Sequence, residues 1–140
     1  MNIETSVQEL AEAIQRTPIY DEYEGIGGNC GNVALAVYQI IQDQEEFSQG
    51  QFKLTTIERP SHIGQYVGHV TVRYKNRYHL DAQGISTENE ILQFVGKDEP
   101  KSNQPAVFFS SVEELTSGDV AYYNQERVEQ FTQLIEGELD

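Results

Sequence analysis

The chain has 140 residues, of which 23 are acidic and 9 are basic, so its formal net charge is −14. This length suits one domain, spanning residues 1–140, with one hydrophobic core. The negative field repels phosphate backbones and anionic lipids, which excludes nucleic acid and membrane surfaces as expected partners. It leaves a protein or peptide as the expected partner, preferably a basic one, although solubility alone also accounts for the charge.

The cysteine count and the N-terminal segment indicate the cellular compartment of the protein. Cys30 is the one cysteine and cannot form an internal disulfide, which fits a reducing environment. The first residues, MNIETSVQELAEAIQ, show no basic stretch followed by an apolar run. The longest apolar stretch, residues 33–41, is too short to cross a bilayer. We therefore expect a cytoplasmic protein.

The first third of the chain predicts two helices joined by a loop. Thr5 or Ser6 caps the first helix, and Thr17-Pro18 ends it because the residue before a proline leaves the α region. Residues 20–28 (YDEYEGIGG) form a glycine-rich loop. The second helix, residues 31–44, has a wide apolar face and is expected to be central and buried. The first helix has its apolar positions at Val7, Leu10, Ala11 and Ile14.

Beyond residue 50 the apolar residues alternate, which predicts strands. The last part of the chain again predicts helices. One begins at Ser86 or Thr87, a short turn begins at Ser111, and the last helix begins at Asn124. Helices, then an antiparallel sheet, then helices indicate an α+β fold. The predicted strands are 52–60, 67–74, 78–83 and 106–109, the last of them buried, and the last helix has Val128, Phe131, Leu134 and Ile135 on one side.

The hairpin formed by residues 67–74 and 78–83 permits two registers. Placing Val70 opposite Leu80 gathers the apolar side chains on one face, whereas a shift by one residue mixes carboxylate and imidazole with valine. The first register is therefore predicted, with Asn76 as a left-handed residue in the connection 74–76. It sets His69 directly opposite Asp81, where the carboxylate accepts a hydrogen bond from one ring nitrogen. The polar face of this hairpin comprises His69, Thr71, His79 and Asp81.

The position of Cys30 suits a nucleophile. A helix N-terminus stabilises a thiolate through its free N–H groups and its dipole. Cys30 stands at such a position between Gly27-Gly28-Asn29 and Gly31, where glycines permit a sharp turn and a close approach of substrate. An imidazole then accepts and returns the proton, and a carboxylate orients the imidazole. His69 and Asp81 supply these groups.

This order of residues resembles the papain-like and transglutaminase-like cysteine enzyme superfamily. The segments that carry the resemblance are GGNCGNVALAVY (27–38), GHVTVRY (68–74) and YHLDAQG (78–84). The resemblance implies a central helix packed on an antiparallel sheet, with Cys30 as nucleophile, His69 as general base and acid, and Asp81 as the orienting group. It implies a small hydrolase or acyl transferase that acts on an amide bond, as a peptidase, isopeptidase, glutamine deamidase or transglutaminase-like enzyme. We expect neither a cofactor nor a metal ion.

The donor to the substrate oxygen is less defined by the sequence. Papain-type proteases use a glutamine a few residues before the cysteine, and none stands there in this chain. The candidates are Asn29, Gln65 and the backbone N–H groups around Gly31.

Other interpretations of these residues stay open. Cys30 can be a small buried hydrophobe, and His79 is a rival base on the same face as Asp81. A metal site from His62, His69, His79 and Asp81 lacks both the paired cysteines and the helical His spacing of common zinc sites. For the whole chain, the alternative is a non-catalytic acidic module on the same fold that binds a protein, as an interaction or inhibitor protein.

Overall fold

Six helices and five strands make up the part of the chain that the computed structural model describes, namely residues 2–25, 28–61, 64–97 and 104–139, with the backbone alone at 61 and 64–66. The helices are α1 (Ile3–Arg16), α2 (Ile19–Glu22), α3 (Cys30–Asp43), α4 (Glu88–Gly96), α5 (Val112–Thr116) and α6 (Gln125–Leu139), and a short 3₁₀ turn covers Glu45–Phe47. The strands are β1 (Phe52–Ser61), β2 (Gly64–Tyr74), β3 (Tyr78–Asp81), β4 (Gly84–Thr87) and β5 (Ala106–Phe109).

The strands form one antiparallel sheet in the order β4-β3-β2-β1-β5. Helices α1 and α3 pack on one of its faces and α6 packs on these two helices, so the α+β prediction is confirmed. Burial of this apolar surface contributes most of the stability of such a core, at roughly 25 cal/mol per Å². The core includes Leu10 and Ile14 of α1, Val33, Val37 and Ile40 of α3, Val70 and Val72 of β2, Leu80 of β3, and Phe131 and Ile135 of α6.

The first helix begins earlier than the sequence predicts. Asn2, rather than Thr5 or Ser6, is its N-cap, because the Asn2 side chain accepts a hydrogen bond from the backbone N–H of Thr5 (2.8 Å). Its end at Thr17 is confirmed, where both the backbone N–H and the hydroxyl of Thr17 donate to the carbonyl of Ile14. The prediction of a loop over residues 20–28 is wrong at residues 20–22, because Ile19 is fully buried and the Pro18 carbonyl accepts the N–H of Glu22 (2.8 Å) to start the short helix α2.

Two further predictions need correction at the edges of the sheet. The strand predicted to reach residue 83 ends at Asp81, because Gly84 adopts a φ of +101° and turns the chain back as β4. Strand β5 is not buried: it pairs with β1 alone, outside the cover of the helices, and 65% of Phe109 is exposed. The caps at Thr87, Ser111 and Asn124 are confirmed.

The hairpin register differs from the predicted one by two residues. Val72 faces Leu80 and Tyr74 faces Tyr78, where we predicted Val70 opposite Leu80. The reason lies in the turn: the connection is the three residues 75–77 rather than 74–76, Lys75 and Asn76 both have positive φ, and Arg77 N–H donates to the Tyr74 carbonyl (3.2 Å). A shift by two keeps every side chain on its predicted face.

Candidate active site

His69 and Asp81 form a buried hydrogen-bonded pair. His69 Nε2 donates to Asp81 Oδ2 over 2.8 Å, and the two side chains are 0% and 2% exposed. They lie diagonally across the two strands rather than directly opposite, as a result of the register. The other carboxylate oxygen, Oδ1, accepts the backbone N–H of Gln83 (2.9 Å), which holds the carboxylate at the turn between β3 and β4. The pair is therefore fixed from both sides.

A bulge and a close helix contact position His69. Strand β1 pairs Ile57 with His69 and then Glu58 with Val67, so Gly68 is the extra residue on β2. A Cβ at Gly68 would stand 2.7 Å from Val95 Cγ1, so the end of α4 approaches here only because this residue is glycine. The neighbouring ring of Phe94 lies edge-on to the imidazole, with the centroids 6.0 Å apart.

Cys30 is the first residue of α3 and is partly exposed. Its thiol is close enough to the imidazole of His69 to contribute to the pKa of that ring, although no hydrogen bond of ordinary geometry joins the two side chains. Because Asp81 occupies Nε2, the nitrogen left for the thiol is Nδ1, which is buried and has no partner of ordinary hydrogen-bond geometry among the described residues. The thiol contact is therefore looser than a normal hydrogen bond, as is common for catalytic pairs without substrate.

The surroundings of His69 determine its charge. Burial, the largest single influence, lowers its pKa, but the hydrogen bond and charge of Asp81 together with the neighbouring Cys30 outweigh burial and raise the pKa from 6.5 to about 9. At neutral pH the imidazole is therefore protonated on both nitrogens. Nε2 faces the carboxylate of Asp81, and Nδ1 is left for the sulfur of Cys30.

The loop before Cys30 is tied to two helices by asparagine side chains. Asn29 Nδ2 donates to the Tyr23 carbonyl (2.7 Å), and Asn29 Oδ1 accepts from Asn32 Nδ2 (2.9 Å). The fully buried Asn32 in turn accepts the backbone N–H of Asn124 (2.9 Å) at the start of α6. Asn29, expected as an oxyanion donor, thus braces the loop. Sequence reasoning missed Asn32, although an amide inside an otherwise apolar helix was a signal.

The first turn of α3 offers backbone donors. Its leading N–H groups have no partner within the helix. A Cβ at Gly31 would stand 3.2 Å from Ala121 Cβ and 3.5 Å from the Tyr122 carbonyl, so this segment lies directly beside the helix start. The side chain of Gln65, the third candidate donor, lies outside the described residues.

His79 belongs to a separate network. Glu88 accepts from His79 Nε2 (2.9 Å), and the hydroxyl of Thr71 lies 2.6 Å from Nδ1. Burial lowers the pKa of His79 despite the opposing effect of Glu88. The neutral ring therefore accepts from Thr71 and has no nitrogen left for Cys30, which argues against His79 as the base. Glu88, the first residue of α4, also binds Arg73 by two hydrogen bonds (2.7 and 2.8 Å) and was not found from the sequence.

No group of three potential metal ligands occurs in the described ranges, and His62 lies outside them. Within the same ranges, no helix is long and apolar enough to span a membrane. No family model matches the chain, and neither a curated protein nor a solved structure is significantly similar to it.

Proposed function

We propose that this chain is a small thiol-dependent hydrolase or acyl transferase that acts on an amide bond, on a papain-like or transglutaminase-like core. The observation that carries the proposal is the buried His69–Asp81 pair, whose second ring nitrogen is left for the thiol of Cys30 at the start of a helix. A carboxylate, an imidazole and a thiol in this order are the groups that nucleophilic acyl transfer requires.

In the first half of the reaction, the proton of Cys30 is held on His69 Nδ1 and the sulfur attacks the carbonyl carbon of the amide. The carbonyl electron pair moves onto oxygen, where the free N–H groups at the start of α3 stabilise the negative charge. The C–N bond then breaks as Nδ1–H protonates the leaving amine. The product is a thioester on Cys30, while Asp81 keeps the imidazole in the tautomer that donates from Nε2.

In the second half, an acceptor replaces the amine. His69 Nδ1 takes a proton from water, the oxygen attacks the thioester, and the C–S bond breaks to release the acid and the sulfur of Cys30, which again faces a protonated Nδ1. The acyl group of a peptide gives peptidase or isopeptidase chemistry, and that of a glutamine side chain gives deamidation. An amine in place of water gives crosslinking.

The test is the rate at which iodoacetamide alkylates Cys30 as a function of pH. The proposal expects rapid labelling well below pH ~8, where a free thiol with a pKa of about 8.5 reacts slowly. His69→Ala should abolish this rapid labelling. His79→Gln is the matched control, because His79 is equally buried on the same strand pair and does not contact Cys30.

Two results would overturn the proposal. One is a wild-type protein that labels like a free thiol or does not label. The other is a His79→Gln variant, shown folded by circular dichroism, that loses rapid labelling as completely as His69→Ala does. Either result would favour the alternative of a non-catalytic module that binds a protein.

A further inference from the structure

A cavity of about 390 Å³ lies next to the candidate site, at the end of β3. It shares a wall with the site, because Ala82 directly follows Asp81 in the chain. Gly25, in the segment that leads to Cys30, packs on the same alanine, and a Cβ there would stand 2.5 Å from Ala82 Cβ. The cavity is lined by Gln15, Thr17, Tyr20, Asp21, Ala82 and Gln83.

The polar groups of this cavity leave several acceptors for a ligand. Gln15 Nε2 donates to the backbone carbonyl of Gln83 (2.9 Å), and Gln83 Nε2 donates to the Tyr20 hydroxyl (3.4 Å). Each amide uses one of its two N–H donors within the protein, and both amide carbonyl oxygens remain for a ligand. The Thr17 hydroxyl already donates to the Ile14 carbonyl (2.7 Å). A ligand that matches this lining is rich in donors.

The charge and the aromatic ring of the cavity favour a cationic ligand. Asp21 is exposed, and its carboxylate has no ion-pair partner in the described part of the chain. The nearest cation along α1, Arg16, is bound to the carbonyl of Glu138 (2.8 Å) and so is engaged with α6. The ring of Tyr20 is 45% exposed and offers a face on which a cation can stack.

We infer that this cavity binds a basic side chain of the amide substrate, with a guanidinium as the best fit. Five N–H donors in a planar fork match one carboxylate, two amide oxygens and an aromatic face better than a compact ammonium does. The inference deepens the proposed function and rests on it: the substrate would be a peptide or protein with arginine near the reacting amide. The net charge of −14 attracts such substrates at longer range.

The test compares two reagents that alkylate Cys30 and differ in charge alone. Bromoacetyl-arginine amide carries the guanidinium, and bromoacetyl-citrulline amide is its neutral isostere. An exposed ion pair predicts a rate ratio of about two to five in favour of arginine for the wild-type protein at low salt. In Asp21→Asn the ratio should fall to about one.

Glu22→Gln is the matched control, because Glu22 is the next residue of α2, carries the same charge and does not line the cavity. This variant should keep the wild-type ratio. A ratio that Asp21→Asn leaves unchanged, or that both variants lower equally, would overturn the inference and assign the preference to net charge alone. The rate with neutral iodoacetamide reports separately on the proposed function. A failure of the cavity inference is therefore distinguishable from a failure of the proposed thiol-dependent activity.

Discussion

The His69–Asp81 pair predicts that Asp81→Asn changes how the stability of the fold depends on pH. The pKa of His69 is raised from 6.5 to about 9, so the folded state binds this proton more tightly than the unfolded state does. At 1.36 kcal/mol for each pKa unit, the difference amounts to ~3 kcal/mol. Since the folded pKa is the higher one, this contribution is fully present below pH 6.5 and is lost as the pH rises through about 9.

The asparagine variant keeps the shape of the pair and removes its charge. Its side-chain oxygen still accepts from His69 Nε2, but burial then becomes the dominant influence on the pKa of the imidazole. We therefore expect Asp81→Asn to be less stable than the wild type at pH ~6, by up to ~3 kcal/mol, and to approach it at pH ~9.

Urea unfolding followed by circular dichroism measures this difference at several pH values between ~6 and ~9. The quantity of interest is the difference between wild type and variant, because other titrating groups then cancel. His79→Gln should retain the wild-type decline with rising pH. A free-energy difference between wild type and Asp81→Asn that is the same at both ends of the range would refute the reasoning.

Three further predictions concern single residues elsewhere in the fold. Burial lowers the pKa of His79 in the folded state, so its contribution to stability is present above pH 6.5 and is lost as the pH falls below that value, and acid titrations of His79→Gln should show a flatter decline. Gly68→Ala should cost ~1–3 kcal/mol by overpacking against Val95, and Val95→Ala should restore part of this loss; additive effects in the double mutant would contradict the contact. Gly137→Ala, in a part of α6 where an added Cβ meets nothing within 4 Å, should raise thermal stability by up to ~1 kcal/mol, and a lower melting temperature would count against it.

Patterns within short segments predicted most of the fold. The helical spacing in α1, α3 and α6 and the alternation in β1 and β2 depend on the local burial of one face, which the sequence records directly. Features decided by distant contacts were not predicted. Helix α2 forms because Ile19 is buried under other parts of the chain, and β5, predicted as a buried strand, is exposed because no described element covers that edge of the sheet.

The candidate site was predictable for a similar reason. A shift of the register by two residues leaves each side chain on the same face of the sheet. The predicted pairing therefore placed His69 and Asp81 on one face even though the register itself was wrong. The contacts around the pair come from α4: Val95 approaches Gly68, and Phe94 lies edge-on to His69. No local pattern encodes these contacts, because they depend on where α4 returns to the sheet.

The most direct test of the account is an NMR titration of the His69 imidazole in the wild type and in Cys30→Ser. The account holds that Cys30, His69 and Asp81 form one ionic unit, so the wild-type ring should titrate at a pH of about 9. Replacing the thiol should lower that value, because Cys30 is one of the groups that raise it. A wild-type imidazole that titrates at or below 6.5, or a pKa that is the same with and without the thiol, would contradict the account.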